Sequence, residues 1–118
     1  MACNEQKVAY IIRYLIFCAE KKDFLQYDDI RKIFGVSGES LGEYADKVGE
    51  YCYRHGLPLL NALIVNSSGS VGDGWKDWVK FMKINTTWEE AVNNCFKTYH
   101  ISLKTNRFKP YNDVSIPQ

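Results

Sequence analysis

Apolar residues Val8, Ile11, Ile12, Leu15, Ile16 and Ala19 recur at steps of three and four, while Lys7, Arg13, Glu20 and Lys21 lie largely off that stripe. This period predicts an amphipathic first helix from Val8 to Lys21. Phe24 to Tyr27 then reads as a short extended link. Asp28 and Asp29 favour the positive end of a second, short helix that runs through Phe34, and Gly35 ends it. Leu41, Tyr44, Ala45, Val48 and Cys52 share one face of a third helix, expected from Leu41 to His55 with Gly56 as its stop. Two consecutive helices joined around Gly35 and Gly38 fit a helix-turn-helix, and they fit an ordinary antiparallel helix pair as well.

Leu59 to Val65 is a short, continuously apolar run between Pro58 and the turn-forming Asn66-Ser-Ser-Gly69, a pattern that predicts a buried strand. Ser70 to Gly74 would complete a small glycine-rich hairpin, or wing. Trp75, Trp78, Val79 and Met82 return to helical spacing. Thr87-Trp-Glu-Glu90 fits a capping box that opens a last helix to about Tyr99, burying Ala91, Val92, Cys95 and Phe96. Beyond Ile101 the periodicity fades, and Lys104, Arg107 and Lys109 collect near Pro110. The expected fold is mainly α with a small β wing: winged-helix-like, a helix-turn-helix plus a short hairpin, with additional C-terminal helices. It forms one domain over residues 1–100, followed by a basic tail over 101–118.

A chain of 118 residues, 46% apolar and 14% aromatic, is the size of one ordinary domain. Such a domain buries about two-thirds of its unfolded surface and needs no covalent staples. Cys3, Cys18, Cys52 and Cys95 are widely spread, which points to reduced structural thiols in a cytoplasmic protein. The chain contains no long apolar run and no signal-peptide pattern, so neither a membrane partner nor export is expected. The sequons at Asn66 and Asn85 then carry no glycosylation meaning. The formal charge of +1 gives no general electrostatic case for nucleic acid, so any DNA affinity must come from a local patch.

Candidate chemistry is sparse. Cys52 and His55 lie on nearby turns of one helix, as a thiol nucleophile and its base would, but no third orienting group accompanies them. A zinc site would need Cys95 and His100 to complete four ligands across the fold. Asp28 and Asp29 are adjacent on a helix and point in different directions, so they suit the helix start better than acid-base catalysis. Gly69, Gly72 and Gly74 lack the Lys-Ser/Thr that follows a phosphate-binding loop. No catalytic residue, cofactor or metal is expected.

The order of segments from residue 8 to 83, with Gln26-Tyr27 before the short helix and Asn66-Ser-Ser-Gly-Ser-Val-Gly72 after the apolar run, resembles the core of the alkylguanine-DNA alkyltransferases and their alkyltransferase-like relatives. In that family a Pro-Cys-His-Arg-Val strand carries the reactive cysteine. Here the corresponding position is Asn61, followed by Ala62 and Leu63, so the groups that would activate a thiol are missing. The arginine that the family inserts into the duplex has no counterpart near Ser40-Leu41-Gly42.

The resemblance implies a non-enzymatic winged-helix domain that binds double-stranded DNA and recognises a modified or extruded base. Leu41 to His55 would be its recognition helix. Tyr27 would touch the backbone near the target nucleotide, and Asn61 would face the base pocket. The candidate DNA-binding set is Tyr27, Arg31, Lys32, Lys47, Arg54, Asn61, Ser67, Ser68 and Lys76. The alternative expectation is a protein-binding adaptor or inhibitor, for example a mobile-element factor acting on a host nucleic-acid enzyme. Near-neutral charge and the many tyrosines and tryptophans favour it.

Overall fold

The structure, a computed structural model, describes residues 4–99; Cys3, His100 and the basic tail 101–118 lie outside the described residues. Five helices, α1 (Glu5–Glu20), α2 (Tyr27–Phe34), α3 (Leu41–Arg54), α4 (Asp73–Met82) and α5 (Trp88–Thr98), accompany two very short strands, β1 (Leu25–Gln26) and β2 (Ile64–Val65). The described fold is therefore mainly helical with a minimal sheet.

Several helix boundaries have a local cause. Asn4 caps α1 by accepting hydrogen bonds from the Gln6 and Lys7 amides, and its own amide donates to the Tyr44 hydroxyl at 2.9 Å, tying the start of α1 to α3. Gln26 and Asp29 form a reciprocal capping box at α2. Gly35 ends that helix at φ +66°, a left-handed conformation that glycine adopts without steric cost. The Thr87–Glu90 box opens α5 as its spacing predicts, with both bonds at 3.1 Å.

At the centre lies the run from Leu59 to Val65, all of it buried, with α1, α3 and α5 packed around it. The expected strand over Leu59–Val65 is corrected here: Leu60–Leu63 is a 3-10 turn, and only Ile64 and Val65 are extended. A run buried on every side carries no alternation, so its pattern cannot separate a strand from a tight helical turn. β2 pairs with β1 in parallel, Leu25 beside Ile64 and Gln26 beside Val65.

The expected hairpin wing is also corrected. After β2 the Asn66 side-chain oxygen accepts hydrogen bonds from the Ser68 amide at 3.1 Å, the Ser68 hydroxyl at 2.7 Å, and the Ser70 amide and hydroxyl, both at 3.2 Å. This side-chain acceptor takes the place of a ladder partner, and the chain closes a compact turn in which Ser67 and Ser68 are exposed. It then enters α4 at Asp73 with no returning strand.

The last helix is fastened to the central run by two side chains. The Trp88 indole N–H donates to the Ala62 carbonyl at 2.7 Å while its ring stacks on Phe24, and the Cys95 thiol donates to the Leu59 carbonyl at 3.4 Å. Trp88→Phe keeps the aromatic contact but orphans the carbonyl. It should lower unfolding free energy by about 1–3 kcal/mol, measured by urea denaturation followed by circular dichroism.

Candidate functional site

Asn61 is the one buried polar residue of the central run, 3% exposed, and it is accommodated because α3 has no side chain opposite it. A methyl group at Gly49 would stand 2.7 Å from both Asn61 Cγ and Trp78 Cη2, closer than side chains tolerate. Gly49 therefore lets the Asn61 amide and the Trp78 ring lie against the backbone of α3. This arrangement forms the floor of a cleft of about 360 Å³.

Three helices wall the cleft. The first turn of α2 supplies Tyr27, α3 supplies Gly42, Ala45 and Asp46, and α4 supplies Gly74, Trp75, Asp77, Trp78 and Phe81. Phe81 stands at the rim, 80% exposed, whereas Trp75 and Trp78 are buried. Two atoms of the lining residues lack partners: the Asn61 side-chain oxygen, an acceptor, and the Trp75 indole nitrogen, a donor. Buried polar atoms normally find a partner, so this acceptor and donor are exceptions within the residues that line the cleft.

The electrostatics of the cleft are acidic. Asp46 and Asp77 line it, and no lysine or arginine does among the described residues. Burial pushes the Asp46 carboxyl above its ordinary value, and Glu50 and Glu43 on the same helix push it the same way. Burial also raises the Tyr27 hydroxyl, with Asp46 adding to the effect.

The structure brings two of the sequence-predicted site residues, Tyr27 and Asn61, into this one cleft. The others lie outside its lining. Arg31 and Lys32, on the exposed side of α2, contact Asp28 at 2.7 and 3.1 Å. Their hydrogen bonds, Arg31's first, hold the Asp28 carboxyl below its ordinary value. Lys47 and Arg54 on α3 both lean on Glu50, at 3.5 and 3.7 Å. Ser67 and Ser68 belong to the Asn66 turn, and Lys76 is an exposed residue of α4. Sequence reasoning missed Asp46, Asp77, Gly49 and Phe81. The available signal was Gly49, a glycine set in the apolar stripe of a helix, where close approach of another group is the usual cause.

The other candidate chemistry does not assemble. Cys52 is fully buried, and burial raises its thiol, while His55 is exposed with its ring 4.2 Å from that of Tyr51. Burial pushes the Cys95 thiol up to about 12 and the Cys18 thiol up to about 11. No cluster of three or more metal-ligating side chains occurs among the described residues, and no described helix is long and apolar enough to cross a membrane. The chain matches no protein-family model, no curated protein and no solved structure.

Two predictions follow from the packing and charge of the cleft. Gly49→Ala forces Asn61 and Trp78 off the helix and should cost about 1–3 kcal/mol of stability in a denaturant titration. Asp46 has the opposite sign. Its folded-state pKa is raised, so the folded protein holds the proton more tightly than the unfolded chain. Its ionisation therefore penalises folding as pH rises through that window, and the penalty is absent below the unfolded value. Asp46→Asn should melt above the wild type at neutral pH, and the gap should close on acidification through the carboxylate range.

Proposed function

We propose that this chain is a non-enzymatic protein-binding domain whose α3–α4 cleft receives part of a partner protein. The observation that carries the reading is the charge of that cleft: aromatic walls, two lining carboxylates and no lining cation among the described residues. A DNA backbone brings a dense row of negative charge, and binding it requires cations that displace its counterions. The helix expected to supply them carries Glu43, Asp46 and Glu50 against Lys47 and Arg54, and both of its cations already lean on Glu50. Phe81, exposed at the acidic opening, is the residue type that anchors protein interfaces.

The winged-helix DNA reader is retained as a second reading because one observation favours it. Tyr27 and Asn61, far apart in sequence, meet in a cleft with aromatic walls, as a pocket for an extruded base would require. In that reading α2 and α3 form the helix-turn-helix and the Asn66 turn replaces the wing.

Fluorescence anisotropy with labelled unmodified, base-modified and mismatched duplexes, across a salt series, separates the two readings. The protein-binding reading expects no duplex binding at low salt, together with a stoichiometric protein partner that is lost on Phe81→Ala. Salt-dependent binding that tightens for an altered base would replace it with the DNA reading.

A further inference from the structure

We infer that the α3–α4 cleft is a receptor for an arginine side chain displayed by the partner protein. The inference rests on the protein-binding reading of the same cleft and names the group that enters it.

Three observations converge on a guanidinium. Asp46 and Asp77 line opposite helices of the cleft with no lining cation among the described residues to neutralise them, so a positive group is attracted and a carboxylate or phosphate is repelled. At the floor, the Asn61 side-chain oxygen is an acceptor without a donor, on a residue only 3% exposed. That buried acceptor is independent of the acidic pair and asks for an N–H. Finally, the cleft is walled by Tyr27, Trp75, Trp78 and Phe81, flat rings that suit a flat cation.

Arginine answers these demands better than lysine. Its planar guanidinium presents five N–H donors in a fixed fork, enough to serve two carboxylates and an amide oxygen together, and it stacks on aromatic faces. An ammonium offers three donors at a compact, strongly hydrated point and is costlier to strip of water. The unpaired Trp75 indole N–H, which no cation can satisfy, suits a main-chain carbonyl of the peptide that carries the arginine.

The test titrates the isotopically labelled full chain with N-acetyl-arginine methylamide and follows the indole N–H resonances of Trp75, Trp78 and Trp88 by NMR. Matched probes bear citrulline, the neutral isostere, or lysine. The expected result is a saturable shift of Trp75 and Trp78 with Trp88 unmoved. Affinity should fall about fivefold or more in Asp46→Asn and again in Asp77→Asn, and citrulline should bind far more weakly. Thermal melts of both variants show whether the fold is intact, so a loss of binding in a variant that melts as the wild type does cannot come from unfolding.

Equal binding of citrulline, equal binding of lysine, or indifference to both substitutions would overturn the inference. If the arginine probe fails while a partner protein is still captured in a Phe81-dependent way, the arginine assignment falls and the protein-binding reading stands. If the probe fails and a duplex shifts the Trp75 and Trp78 signals instead, both fall.

Discussion

Covering the apolar run Leu59–Val65 on all sides is the constraint from which the rest of the architecture follows. Three helices are needed to do it, and each arrives from a different part of the chain: α1 from the N-terminal end, α3 directly before the run, and α5 after it. Backbone groups inside such a run must still find partners. The segment meets that demand by coiling into a 3-10 turn, by pairing two residues with β1, and by lending carbonyls to Trp88 and Cys95. The sheet is small because it serves only the residues that the turn leaves unpaired.

The cleft is a by-product of the same packing. A polar residue at the centre of an apolar run has to be given room, and Gly49 gives it by leaving the α3 backbone bare. Asn61 and Trp78 occupy that gap, and α4 is drawn alongside α3 with Trp75 on its inner side and Phe81 at the rim. The acidic character comes from Asp46 and Asp77, which line the opening, and partial burial raises the Asp46 carboxyl above its ordinary value.

Much of the helical framework was legible in the sequence, because amphipathic stripes and caps are local. The Ile11–Leu15 stripe, the Gly35 and Gly56 stops and the Thr87–Glu90 box all carry their meaning within a few residues. The strand and the hairpin were not legible for a physical reason. Leu59–Val65 has a single polar position, Asn61, too little to reveal a period, and the fate of Asn66–Ser70 turns on four hydrogen bonds to one side-chain oxygen, which no periodicity records. Of the site, Tyr27 and Asn61 came from the resemblance, which aligned a tyrosine before the short helix and a special position within the run. The partners Asp46 and Asp77 escaped notice because each reads as an ordinary solvated charge until α3 and α4 are set side by side. The basic residues were over-read for the opposite reason: sequence shows Lys47 and Arg54 but not that both lean on Glu50.

The order of the covering helices bears on how the chain is made. Synthesis proceeds from the N-terminus, so α1 and α3 have already left the ribosome when the Leu59–Val65 run emerges. Two of its three walls exist before it does, and β1 is in place to receive Ile64 and Val65. Only the flank closed by Trp88 and Cys95 must wait for a later segment. This apolar run thus lacks only one of its walls, and only for the time taken to add the residues through α5.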